Sequence, residues 1–339
     1  MGGVLEMGLT RREFLKLCMA STAGVSLMSW LGPEIKNLAL AAEDGKPPVI
    51  WLQGASCTGC SVSCLNAVDP TDIGTVLLDI ISMRYHPNIS AGQGDLAAEV
   101  LDEVVNAHHG DFVLIVEGGI PLKEDGAYCT IMEKSHKELT ILEAVRTLSS
   151  SALAVIAAGN CASFGGIPAA APNPTGVVPV DQVVTKAPVI NLSCCPLHPD
   201  HLLGTIVLAL GLGREHLGEL ELDRYKRPKI FYPGPIHDNC PRRESFNNGD
   251  FAKIIGDSGC LAMLGCKGFI ATSDCWQRKW NNSVNWCIEA GAPCHACSEP
   301  IYPDGCEPFY GLYPLTAKER DKVVFPEVVP NQYTEFIAK

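Results

Sequence analysis

His237 is followed by Cys240, Cys260, Cys266, Cys275, Cys287, Cys294 and Cys297. These eight side chains fall within about sixty residues, enough for two four-coordinate iron–sulfur clusters held by thiolates and one imidazole. Thiolate-rich sites select iron–sulfur clusters or zinc. Two clusters close together make an electron path, whereas two zinc ions make only a rigid loop. The pattern therefore points to electron transfer. Further cysteines lie upstream in Cys57-Thr58-Gly59-Cys60, Gly159-Asn160-Cys161 and Cys194-Cys195-Pro196. A CxxC by itself serves thiol redox, zinc and iron–sulfur sites alike.

The elements that must position these residues show in the periodicity. Apolar, strand-like runs at 49–53, 76–81, 112–116, 153–158 and 189–192 alternate with amphipathic helical segments such as 96–107 and 141–148. Such alternation predicts a parallel sheet with helices on both faces, a flavodoxin-like doubly wound α/β domain over 48–224. The upstream cysteine loops follow its first, fourth and fifth strands. The carboxyl ends of parallel strands share one sheet edge, so loops distant in sequence converge there and supply a third cluster. From about Tyr225 periodicity fades, and Gly, Pro, Asn and Asp interrupt short helical pieces. The domain 225–339 is expected to be irregular and organised by its metal centres.

Composition narrows the class. With 339 residues and 47% hydrophobic content the chain has enough apolar material for a full core. A net charge of −12 argues against a nucleic-acid partner and suits a basic partner or simply solubility. Sixteen cysteines leave disulfides, zinc and iron–sulfur open. The N-terminus decides more. Thr10-Arg11-Arg12-Glu13-Phe14-Leu15-Lys16 precedes an apolar run at 17–31, and Ala39-Leu40-Ala41 precedes Ala42 and Glu43. This reads as a twin-arginine export signal over 1–42, cleaved near Ala41 or Ala42. That route carries folded proteins, which suits cofactors inserted before export. No second apolar run of about 20 residues follows, and 323–339 is polar, so the mature chain is expected in the periplasm without a transmembrane segment.

The flanks of the ligands carry a resemblance. Trp51-Leu52-Gln53-Gly54-Ala55-Ser56-Cys57-Thr58-Gly59-Cys60, Cys161-Ala162-Ser163-Phe164-Gly165-Gly166-Ile167-Pro168 and Cys195-Pro196-Leu197-His198-Pro199 resemble the small subunit of nickel–iron hydrogenases. Ile236-His237-Asp238-Asn239-Cys240, Leu264-Gly265-Cys266-Lys267-Gly268 and Cys294-His295-Ala296-Cys297-Ser298-Glu299-Pro300 match the family's remaining signatures. The resemblance implies that Cys57, Cys60, Cys161 and Cys195 hold a proximal 4Fe-4S cluster. His237, Cys240, Cys260 and Cys266 would hold a distal one, nearest the surface. Cys275, Cys294 and Cys297 would hold the medial cluster. Most members have a proline where this chain has Cys287 and carry 3Fe-4S there; a fourth thiolate allows 4Fe-4S, and the cluster reverts to 3Fe-4S if Cys287 does not ligate. This feature is typical of the nickel–iron–selenium subgroup.

The resemblance also implies that the nickel–iron centre, which cleaves dihydrogen, belongs to a partner large subunit. This chain then relays the electrons singly to an acceptor, expected to be a periplasmic multihaem c-type cytochrome. Oxygen-tolerant members carry two extra cysteines at the positions of Gly59 and Gly166, so an ordinary proximal cubane is expected here. Cys18, Cys64, Cys129, Cys194 and Cys306 remain unassigned, and a Cys129–Cys306 disulfide has no support in the sequence. His108-His109 are read as ending a surface helix, His198 as supporting the cluster loop, and His295 as filler. Two other classes fit less well. The iron–sulfur subunit of a quinone-linked dehydrogenase shares the doubly wound domain but lacks the second ligand block and the export signal. A secreted zinc or disulfide protein would lack iron.

Overall fold

The computed structural model describes residues 46–67, 72–307 and 309–310; the expected export signal at 1–42 and the stretch 323–339 fall outside them. One parallel sheet is formed by β1 (Pro48–Gln53), β2 (Ser82–Tyr85), β3 (Val113–Glu117), β4 (Ala154–Ala158) and β5 (Val189–Leu192); all but β2, which reads Ser-Met-Arg-Tyr, are short apolar runs. Their order is β2-β1-β3-β4-β5, with every neighbouring pair parallel, which is the flavodoxin-like doubly wound order. β3 and β4 are buried along their whole length, and strands covered on both faces read as continuous apolar runs for that reason.

Alternate side chains of each strand enter opposite layers. Val49, Trp51, Val113, Ile115 and Ile156 pack with Leu202, Leu203 and Ile206 of α5 (Pro199–His216). Ile50, Leu52, Leu114, Val116 and Val155 pack with α2 (Asp95–Ala107) and α3 (Ile141–Ser149). Two shorter helices follow strands directly: α1 (Gly59–Cys64) comes after β1 and α4 (Gly159–Phe164) after β4. α3 starts where Thr140 Oγ1 accepts the Glu143 N–H at 3.2 Å, half of a capping box. α5 starts at Pro199, with His198 Nδ1 accepting the Asp200 N–H at 3.1 Å.

The expected second strand at 76–81 is a correction. Residues Val76–Ile80 form a single π-helical stretch that continues the turn Ile73–Thr75, and the strand is Ser82–Tyr85. Asp72 caps that turn by accepting the Thr75 N–H at 3.1 Å. Val76 and Ile80 are buried while Leu78 is 72% exposed, a helical distribution that a short apolar run does not reveal by itself.

Register fixes what the sheet presents. Gln53 pairs with Glu117, Glu117 with Ala158, and Ala158 with Leu192, so β1, β3, β4 and β5 end side by side. The loops carrying Cys57, Cys161 and Cys195 all leave from this aligned edge.

Contacts divide the chain into two units, Met1–Ile230 and Phe231–Lys339. In the second, the described helices are single turns, among them Ile236–Asn239, Arg243–Asn247, Leu261–Leu264 and Cys275–Arg278. Its core is small: Ile236, Leu261, Ala271, Trp286, Ile288 and Ala296, with Cys266, Cys294 and Cys306 among them.

Leu52, fully buried beside the aligned edge, tests the packing. Leu52→Ala should lower unfolding stability by about 3 kcal/mol, read from the denaturant midpoint by circular dichroism. A loss below about 1 kcal/mol would contradict the layer assignment.

Candidate metal centres

At the sheet edge, Thr58 adopts a left-handed conformation (φ 64°) that turns the chain from Cys57 into α1, which carries Cys60. Cys161 lies in the first turn of α4. Gly159 has φ +85°, and a Cβ there would collide with Cys60 Sγ, so the close approach of α1 to α4 requires glycine. The third loop is tied to both others. Asn160 N–H donates to Cys194 O at 2.8 Å, and Ser63 Oγ donates to Leu197 O at 2.7 Å. A Cβ on Gly59 would lie 3.9 Å from Pro196 Cβ, which sets the residue after Cys195 beside the CxxC.

Burial governs these thiols. It pushes Cys161 up to about 11, with Cys57 and Glu117 adding to the rise. Cys60 is raised well above the usual thiol value by burial first and the Glu117 carboxylate second, and Cys64 and then Cys161 add to this. Cys57, Cys60 and Cys161 therefore share one field. Cys64 is pushed up to about 12 by burial and then Glu117. Gly166 has φ +52°, and a Cβ there would meet Cys161 N at 2.9 Å and Sγ at 3.0 Å; at Gly59 it would meet Cys57 Sγ at 3.0 Å. A side chain at Gly166 would press on the Cys161 backbone at a strained φ, whereas at Gly59 it would meet only the Cys57 sulfur.

In the second unit the His237 N–H donates to Gly268 O at 2.9 Å, joining the His237 turn to the Cys266 loop. Arg242 joins the other two loops. Its N–H donates to Cys240 Sγ at 3.4 Å, and its guanidinium donates to Asp257 O and Gly259 O, each at 2.7 Å, just before Cys260. Cys240 and Cys260 both raise the Cys266 thiol, which burial already pushes up to about 12. His237 is brought down to about 4 by burial and by the Arg243 cation, partly offset by Asp238. Its imidazole is neutral near pH 7, the form that binds metal. The ring packs edge-on against Phe246, with centroids 4.6 Å apart.

Cys287, Cys294 and Cys297 form the third group. The neighbouring thiols of Cys287 and Cys294 act on each other, which lowers Cys287 and raises Cys294, and Cys297 raises both. Cys287 is the exposed member and Cys294 the buried one. Cys275 packs partly buried against the same core, and its Sγ donates to Ser273 Oγ at 3.2 Å.

These donor sets, thiols with one neutral imidazole, fit iron–sulfur clusters. Every cysteine among the described residues is a free thiol, Cys129 and Cys306 included. Among the described residues no three His, Cys, Asp or Glu side chains are gathered to hold a single metal ion. His295 stacks on Phe309 with centroids 4.8 Å apart, and His108 caps the end of α2.

The sequence reading missed Glu117, the last residue of β3 and 2% exposed. Its carboxylate accepts from Cys60 N (3.0 Å), Ser61 N (3.2 Å), Ser61 Oγ (2.5 Å), Trp51 Nε1 (3.2 Å) and Gln53 Nε2 (3.2 Å). His86 Nδ1 accepts the Asn88 N–H at 3.1 Å, so its proton is on Nε2, which donates to Ser61 Oγ at 3.1 Å. A lone acid closing an apolar run at the cysteine edge was the available signal. Glu117→Gln turns an amide donor toward other donors and should cost about 3 kcal/mol. Denaturation of the variant, followed together with its iron content, checks this; a loss below about 1 kcal/mol would contradict it.

Comparison with known proteins gives the family. Residues 232–310 match the family described as the C-terminal part of the NiFe/NiFeSe hydrogenase small subunit, and residues 57–209 match NADH ubiquinone oxidoreductase, 20 Kd subunit. The periplasmic NiFeSe hydrogenase small subunit of Desulfomicrobium baculatum is 43% identical over 316 residues, covering 90% of this chain and 99% of that one. The periplasmic NiFe hydrogenase small subunit 1 of Nitratidesulfovibrio vulgaris is 38% identical, covering 89% and 93%. Among solved structures, the recombinant NiFeSe hydrogenase from Desulfovibrio vulgaris Hildenborough superposes with a TM-score of 0.76 at 43% identity, covering 79% of this chain and 98% of that one. The chain belongs to the family of nickel–iron and nickel–iron–selenium hydrogenase small subunits, and as such is part of an oxidoreductase.

Proposed function

We propose that this chain is the electron-transfer subunit of a heterodimeric hydrogenase and that it holds three 4Fe-4S clusters. Cys57, Cys60, Cys161 and Cys195 would hold the proximal one, Cys275, Cys287, Cys294 and Cys297 the medial one, and His237, Cys240, Cys260 and Cys266 the distal one. The observation that supports this most is the placing of the cysteine loops: those of Cys57, Cys161 and Cys195 leave one aligned sheet edge, and in the second unit the His237 turn is bonded to the Cys266 loop and Arg242 ties Cys240 to the Cys260 loop. When bound, such clusters accept and release one electron each.

The chain's own residues set the conditions. Burial of Cys60, Cys266 and Cys294 keeps water from the thiolates. The N–H groups of Arg242 and Ala296 donate to Cys240 Sγ and Cys294 Sγ, each at 3.4 Å, and such bonds tune the potential of a cluster upward by stabilising added negative charge. Neutral His237 in place of a thiolate removes one negative charge from the distal site. The nickel–iron centre that cleaves dihydrogen is assigned to the large subunit, with selenium in that partner left to its own sequence.

Relatives named periplasmic, together with the twin arginine at Arg11-Arg12, support export in the folded state. No described helix is long and apolar enough to cross a membrane. The net charge of −12 supports a basic periplasmic multihaem c-type cytochrome as electron acceptor.

Two measurements test these readings. Low-temperature electron paramagnetic resonance of the oxidised heterodimer should lack a strong 3Fe-4S signal, and Cys287→Pro should create one; a strong signal in the unaltered protein would overturn the medial assignment. Electron transfer to a basic multihaem cytochrome should slow several-fold between about 0.01 and 0.15 M salt, as the Debye length shrinks. A rate indifferent to salt would contradict the steering.

A further inference from the structure

Lys267 lies between a distal and a medial ligand and touches both loops. It follows Cys266 directly, and its backbone N–H donates to Cys294 O at 2.8 Å. The side chain is buried, 2% exposed, and its ammonium donates to Gly265 O at 2.9 Å and Phe309 O at 3.2 Å. The thiols of Cys266, Cys294 and Cys306 all lie within its field. Beside it, the Cys294 N–H donates to Cys266 Sγ at 3.4 Å. A residue of the medial set is thus hydrogen-bonded to a sulfur of the distal set, and Lys267 spans the junction.

Resting on the ligand sets proposed above, we propose that Lys267 is the positioning residue of the medial-to-distal electron step: it clamps the Cys294 N–H onto Cys266 Sγ, and its charge raises the reduction potential of both sites. In that step one electron passes from the Cys294 side to the Cys266 side, and no proton or covalent bond is exchanged. Two physical arguments carry the assignment. A fixed positive charge stabilises whichever neighbouring site has gained an electron, and burial protects that attraction from the salt and water that weaken it at a surface. The clamp acts through the backbone as well: the Lys267 N–H to Cys294 O bond and the Cys294 N–H to Cys266 Sγ bond run in opposite directions between the same two loops. Cys306, fully buried and outside all three ligand sets, has its place here as a thiol that faces the ammonium.

The test is a redox titration of the purified heterodimer followed by electron paramagnetic resonance, with iron counted in the same samples. Lys267→Met removes the charge at similar length, and Lys267→Gln removes it while keeping a donor for Gly265 O. In both variants the medial and distal midpoints should fall by about 59 mV, a tenfold change in the oxidised-to-reduced ratio of a one-electron couple, while the proximal midpoint stays in place. Lys267→Arg should restore both. Should Lys267→Met lose iron, Lys267→Gln carries the titration. Unmoved medial and distal midpoints in the charge-free variants, an equal shift at the proximal site, or the same fall in Lys267→Arg would overturn the proposal. Iron corresponding to fewer than three clusters in the unaltered protein would instead overturn the ligand sets beneath it.

Discussion

A thiol taken out of water holds its proton, and the sites of this chain are built around that fact. Cys60, Cys161 and Cys266 are raised first by burial and further by neighbouring thiols, and Cys294 first by the Cys287 thiol and then by burial. Such groups become thiolates only against strong positive charge, which iron supplies and a lone side chain does not. The reward for burial is a dry, low-dielectric surround, in which ligand identity and a few N–H bonds fix a potential. His237 meets the same constraint from the other side: burial keeps it neutral, as a ligand must be.

The two units answer this constraint with different architecture. In the first, the sheet does the positioning. Gln53, Glu117, Ala158 and Leu192 end in register, and an apolar core on both faces holds that edge. Glu117 then fixes the start of α1 through the N–H groups of Cys60 and Ser61. The second unit has single-turn helices and a small core into which cysteines themselves are packed. There the cysteine and histidine loops are tied to one another directly, through His237 to Gly268, Arg242 to the Cys260 loop, and Lys267 to Cys294.

How much of this was legible in the sequence follows from what kind of information each feature needs. Four of five strands were readable, because a buried parallel strand is a short apolar run and little else competes for 49–53 or 189–192. The run at 76–81 misled, because apolar content without alternation does not separate a strand from a helical turn. The sheet edge that gathers Cys57, Cys161 and Cys195 was legible from topology alone. Glu117, Arg242 and Lys267 were not: each acts on cysteines through contacts set by tertiary structure, as Glu117 does across 57 residues to Cys60. Cys287 was legible only by comparison with a pattern that has proline there; its effect on the neighbouring Cys294 thiol gives that difference a physical form.

The central claim is that this chain holds three iron–sulfur clusters, and acid-labile sulfide tests it most directly, since thiolate ligands and a nickel–iron centre contribute none. In the purified heterodimer the account predicts about twelve sulfides, four for each cluster. About eight or fewer, or zinc retained in their place, would contradict it.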